Sequence, residues 1–212
     1  ELPYTTKNSL KARLTWAEVK AIMRTEPETR IEGIAKDAFL LACFTGLRIS
    51  DILTLNKGEL HQFHYERQQT KTNMPVLVTV HKYNEELLKK YTSTGFPSVR
   101  QYLSRELKEV FKRAGLEKEV RRIKAVGHER KEEILEKYKE ISFHSGRRFY
   151  ARLLNDLGLG AEIVRDELGH GYKSITDLYA GSPEHAYRVA RVRKAMETME
   201  KTMEELSLMK AA

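Results

Sequence analysis

Hydrophobic positions along the chain follow a helical period over most of its length and a strand period in one short region. Thr15 and Glu18 form a capping box, which predicts a helix from Trp16 to about Arg24. Ile34, Ala38, Leu41 and Ala42 share one face of a second helix over about 31–44, which Gly46 ends; a short helix restarts near Ile49 with Ile52, Leu53 and Leu55. Residues 62–65 and 75–80 read as strands, with Gln68 to Asn73 as strand end and turn. Helices resume over 83–91 and 99–114, the latter with Leu103, Leu107, Val110 and Phe111 at helical spacing. Further helices are expected near 144–157, 161–168 and 173–179. A last one runs from Pro183, a first-turn proline, to about Leu208. The pattern predicts a mainly α domain with one small antiparallel β-sheet, an α+β arrangement filling residues 1–212.

Two stretches depart from it. Residues 117–140 hold eight basic and seven acidic side chains, which reads as a solvated helix pair or hairpin, with a DNA-facing insertion as the alternative. In the tail helix, Val192, Met196, Met199, Met203 and Leu206 advance by four and three in turn, a narrow stripe. It suits packing on its own domain or docking on a neighbouring protomer.

Composition narrows the class. The chain has 212 residues, 41% hydrophobic and 32% charged, enough apolar content to bury a core. Its single cysteine, Cys43, can form no internal disulfide. The apolar run Ala38 to Phe44 falls far short of the ~20 residues that span a bilayer, and no secretory signal opens the chain. A cytoplasmic protein is expected. The net charge of +8 suits a polyanion such as nucleic acid, although many basic proteins bind none.

Three segments carry candidate chemistry: TGLRISDIL around Arg48 and Asp51, ISFHSGRRFYA around His144 and Arg147, and LGHGYKSITDLYA around His170 and Tyr179. Taken singly each has an ordinary reading, as a surface arginine, a core histidine or a half-buried tyrosine. The order Arg, Lys, His-x-x-Arg, Gly-His and then Tyr, with 23 positions from Arg147 to His170 and nine more to Tyr179, resembles the catalytic domain of the tyrosine recombinase (phage integrase) family. The long charged stretch before His144 is similar to the branch found in phages and conjugative transposons of Bacteroides-type bacteria. Arg148 stands where many members have histidine, outside the catalytic set.

The resemblance implies that Tyr179 attacks a DNA phosphodiester and becomes a 3′-phosphotyrosine, without ATP. A phenol with a pKa of about 10 is a poor nucleophile at pH 7, and the phosphate repels an approaching phenolate. Arg48 and Arg147 answer this as untitratable clamps for the non-bridging oxygens. Asp51, one helical turn after Arg48, would orient that arginine, or is an ordinary helix-start carboxylate. Lys71, preferred to Lys82, would protonate the departing 5′ oxygen, as a lysine does when burial beside cations tunes it. His144 would take the tyrosine proton, and His170 would bond the phosphate or assist. Arg148 and Lys173, with Lys71, are candidate DNA contacts by proximity to the boxes. No carboxylate pair suits Mg²⁺, so neither metal nor cofactor is expected. The implied partners are double-stranded DNA and three further copies in a tetramer on two duplexes, with a monomer in isolation. An upstream core-binding domain is expected to be missing from this chain. Two alternatives stay open: a type IB topoisomerase-like or hairpin-resolving enzyme, and a non-catalytic DNA-binding module.

Overall fold

The computed structural model describes residues 12–56, 59–71, 73, 75–97, 100–126, 129–169 and 183–211. The expected helix at 173–179 lies outside them, as do His170, Lys173 and Tyr179.

Helix α1 (Trp16–Arg24) begins at the expected capping box: the Glu18 N–H donates to Thr15 Oγ1 at 3.2 Å and the Thr15 N–H to Glu18 Oε2 at 2.7 Å. Helix α2 (Arg30–Thr45) is the centre of the molecule. Its second half, Ala38 to Thr45, is buried on every side, which explains why its apolar positions run together instead of forming a stripe. Gly46 ends it at φ 67°, a left-handed conformation that favours glycine. A side chain there would also meet Leu168 at 2.6 Å and Tyr150 at 2.8 Å.

Two long helices flank α2. Helix α5 (Arg100–Arg113) buries the expected Leu103, Leu107, Val110 and Phe111, with the Phe111 ring edge-on to Phe39 at 4.7 Å. Helix α7 (Phe143–Asp156) packs closely on α2 at Gly146, where an added Cβ would lie 3.1 Å from both Ala42 Cβ and Cys43 Sγ. Between α2 and α5 in sequence come α3 (Ile49–Ile52), strands β1 (His64–Gln68) and β2 (Pro75–Thr79), and α4 (Glu85–Thr94). β1 starts two residues later than expected and pairs antiparallel with β2, from His64 opposite Thr79 to Gln68 opposite Pro75. Every residue of β2 is buried, beneath α8 (Ala161–Glu167) and the tail helix α9 (Pro183–Ala211).

The charged stretch corrects the expectation of a single sheet. It forms a second antiparallel hairpin, β3 (Glu119–Val126) with β4 (Glu129–Glu136), followed by the short α6 (Lys137–Glu140). The hairpin reading holds and the helix pair does not. Exposed Ile134, with Arg121 and Glu132 paired at 3.5 Å across the strands, marks it as a solvated ribbon.

The tail stripe packs on its own domain. Val192, Met196 and Met199 are completely buried, and Arg193 donates to the Val80 carbonyl at 2.9 Å. Leu208 and Met209, beyond them, are exposed.

Candidate active site

The stop of α2 at Gly46 sets the first box. Thr45 Oγ1 donates to the Leu41 carbonyl at 2.6 Å and accepts the Leu47 N–H at 3.1 Å, so the chain turns sharply and Leu47 plugs into the core. Arg48 follows as the N-cap residue of α3. Its Nη1 is buried and makes no hydrogen bond among the described residues. A buried guanidinium nitrogen without a partner is costly, and an anion is its natural complement.

Arg147 occupies the middle. It sits one turn into α7 and is 5% exposed. Its Nη1 donates to the Gly46 carbonyl, just before Arg48, and its Nη2 to the Leu168 carbonyl at 2.8 Å, just before Gly169. One side chain of the second box therefore holds backbone from the first and the third. Burial lowers its pKa to about 10, the nearby positive charge of Arg48 adds to the fall, and Asp51 partly offsets it. It stays charged at neutral pH. Two like charges kept close are arranged for a third, negative body.

Asp51 is fully buried. Its Oδ1 accepts the Thr70 N–H at 2.8 Å, and no hydrogen bond runs to it from Arg48 among the described residues. Its own carbonyl accepts from Arg67 Nη1 at 2.6 Å. Asp51 thus anchors the β1–β2 turn to the first box. Lys71 is in that turn, as expected, and is exposed.

The third box closes against the same turn. Gln69, 1% exposed, donates Nε2 to the Leu168 carbonyl at 3.0 Å, the oxygen that also accepts from Arg147. Gly169 adopts φ 66°, and a Cβ there would lie 2.1 Å from Gln69 Nε2 and 2.9 Å from Val76 Cβ. No other residue fits. His170 is the next residue in the chain. His144, in the first turn of α7, is exposed, unlike Arg147 one turn on. Arg148 is half-buried and donates to Ser145 Oγ at 3.0 Å; burial lowers its pKa, against the nearby Glu140 carboxylate.

Gln69 was not anticipated, and neither was Glu167. The Glu167 carboxylate, fully buried, accepts from Thr79 N–H at 3.1 Å, Thr79 Oγ1 at 2.6 Å and Tyr150 OH at 3.0 Å, with Arg188 Nε at 3.8 Å. It joins β2, α7, α8 and α9 behind the site. A signal for it exists in the sequence, since Glu167 shares the apolar face of α8 with Val164. Gln69 leaves no such trace.

Hydrogen bonds thus join Arg147, the first box, the turn that carries Lys71 and the Leu168 backbone in one region of the fold. The phage integrase family profile matches residues 12–185, and the chain belongs to that family. Its fold is that of tyrosine recombinase catalytic domains. It is similar to an integrase from mycobacterium phage Brujita (TM-score 0.58, 18% identity), covering 90% of this chain and 60% of the phage protein. It is also similar to the lambda integrase catalytic core (TM-score 0.53, 20% identity, 77% of this chain and 94% of the core). A third likeness is to the XerH site-specific recombinase bound to a palindromic difH substrate in a post-cleavage complex (TM-score 0.55, 15% identity, 96% of this chain and 56% of that one). The chain thus spans about 60% of the first of these relatives. No curated protein matches it by sequence. Among the described residues, no helix is long and apolar enough to cross a membrane.

Proposed function

We propose that this chain is the catalytic domain of a site-specific DNA recombinase, an integrase of a mobile element, which cleaves and rejoins duplex DNA through Tyr179. The observation that carries the reading is the Arg147 side chain, anchored on the carbonyls of Gly46 and Leu168, with the Arg48 charge beside it.

On this reading the Tyr179 oxygen attacks phosphorus, the bond to the 5′ oxygen breaks, and a 3′-phosphotyrosine forms. The phenol proton passes to His144, and Lys71 protonates the leaving 5′ oxygen to give a free 5′ hydroxyl. His170 bonds a phosphate oxygen. Arg48 and Arg147 stabilise the crowded negative charge of the transition state. A guanidinium carries five N–H groups, so anchorage by two carbonyls is compatible with donation to phosphate. Losing one such preorganised donor typically costs about 2.7–4 kcal/mol. Asp51, Gln69 and Gly169 act by holding the Lys71 turn and the residue before His170 against Arg147. The phosphotyrosine keeps the energy of the phosphodiester, so rejoining needs neither ATP nor a metal.

The partners follow from the chemistry: double-stranded DNA, held mainly through phosphates and therefore weakened by salt, and four protomers on two duplexes at synapsis. Lys71, Arg148 and Lys173 are the proposed phosphate contacts, and the bacterial cytoplasm the proposed location. The branch from Bacteroides-type phages and conjugative transposons is supported by the length of the β3–β4 insertion.

A nicked suicide duplex tests the reading. The wild-type chain is expected to form a covalent adduct, while Tyr179→Phe binds the duplex and forms none. An adduct that survives in Tyr179→Phe rejects the assignment. Strand exchange between two sites, set beside relaxation of a supercoiled plasmid, separates a recombinase from a topoisomerase.

A further inference from the structure

A cluster outside the three boxes has the chemistry of a metal centre. His61, His64 and Glu66 each bring one ligand atom to a point where these atoms lie within 4.8 Å of one another. The backbone explains the convergence. His64 and Glu66 are two apart on β1 and so project from the same face of the strand. His61 is folded back by a turn in which its N–H donates to the His64 carbonyl at 2.9 Å, while Leu60 bridges to Tyr65.

The spacing fits a transition metal. His61 Nε2 lies 3.1 Å from Glu66 Oε1, and His64 Nε2 lies 3.5 Å from Glu66 Oε2. A tetrahedral ion with bonds of about 2.0–2.1 Å separates its ligand atoms by about 3.3 Å, between the two observed values. The imidazoles stack at 4.6 Å with 21° between planes, and the His185 ring of α9 stands edge-on to His64 at 5.3 Å. Glu66 Oε2 is buried and, beyond its 3.5 Å ion-pair contact with His64, makes no hydrogen bond among the described residues. A single carboxylate thus serves two imidazoles and leaves one buried oxygen under-used, which a plain surface ion pair does not require. Two imidazole nitrogens and a carboxylate are the donor set of zinc sites that keep one position open. They suit Mg²⁺ and Ca²⁺ poorly, since those ions take oxygen ligands.

We propose that His61, His64 and Glu66 bind one divalent transition-metal ion of the zinc class, with a fourth position open to solvent. The sequence reading expected no metal. None of its three residues belongs to the recombination boxes, and the ion takes no part in the cleavage chemistry. It ties the turn before β1 to the strand itself, close to the start of α9. His185 closes one side of it as a neighbour and not as a ligand.

The test is a Co²⁺ titration of the full chain, followed by visible absorption. One equivalent is expected to give the intense bands of a tetrahedral site, and Zn²⁺ to abolish them by displacement. His64→Ala and Glu66→Gln are each expected to weaken binding by more than the ~10–100-fold typical of losing an outer contact. His144→Ala should leave it unchanged. His61→Ala serves as a second ligand variant on an exposed side chain, should His64→Ala disturb the strand. Far-ultraviolet circular dichroism of the metal-free variants checks that the fold is kept. Absent tetrahedral bands in the wild type, or bands of equal strength in folded His61→Ala and Glu66→Gln, overturn the proposal.

Discussion

The Arg147 centre and the β3–β4 hairpin are both rich in charge, and they use it in opposite ways. At the centre, Arg147 and Asp51 are buried and held by backbone, Arg147 by the carbonyls of Gly46 and Leu168 and Asp51 by the Thr70 N–H. On the hairpin, side chains such as Arg121 and Glu132 are exposed and pair with one another. Water can replace a partner in the second place and not in the first. Charge density alone therefore says little. What distinguishes the regions is the apolar sequence around the charge, Leu47 and Phe149 in one, near-continuous charge in the other.

Four substitutions or titrations break the comparison at different depths. The largest effect is expected from Arg147→Ala. It removes two hydrogen bonds from a charged donor, each worth about 1.5–3 kcal/mol, so urea denaturation should show a loss of roughly 3 kcal/mol or more, and adduct formation should disappear. Glu167→Ala comes next, since it strands the buried Thr79 and Tyr150 donors and removes one of the carboxylates near Arg188. A loss of about 2–3 kcal/mol is expected by the same measurement, with unpaired buried donors as the cause.

The third is a pH effect. His81 is buried, donates Nε2–H to the Phe44 carbonyl at 3.1 Å and accepts the Tyr83 N–H on Nδ1 at 3.3 Å. Burial lowers its pKa from 6.5 to about 3, a fall that its hydrogen bond to Phe44 opposes. The unfolded chain therefore binds the proton first as pH falls. The stability this histidine contributes is complete above about 6.5 and is lost between there and about 3. Thermal melts from pH 7 to 4 should decline more gently in His81→Asn than in the wild type. The smallest effect belongs to Arg121→Ala on the hairpin, expected within about 0.5 kcal/mol. A loss as large as that of Arg147→Ala would erase the distinction between the two regions.

The legible parts of the fold were those where one side of an element is apolar. Leu103, Leu107, Val110 and Phe111 declared α5, and the Thr15 box declared α1 to the residue. The hairpin could not be told from a helix pair, because charged residues fall on both faces of its strands and alternation has no apolar side to reveal it. The start of β1 slipped because His61 to Phe63 form a turn that is polar and aromatic like the strand after it. In the site, motif order brought out Arg48, Lys71, His144 and Arg147, and named His170 and Tyr179, which lie outside the described residues. Geometry could not be read the same way. The partner of Asp51 is a backbone N–H nineteen positions away, and Gln69 matters only because Leu168 meets it from the other end of the chain.

The central claim is that Arg48 exists to neutralise a scissile phosphate. Suicide duplexes carrying either a normal phosphate or an uncharged methylphosphonate at the cleavage position test it directly. Arg48→Ala should form almost no adduct on the charged substrate and regain it on the neutral one. A variant equally inactive on both substrates would contradict the claim.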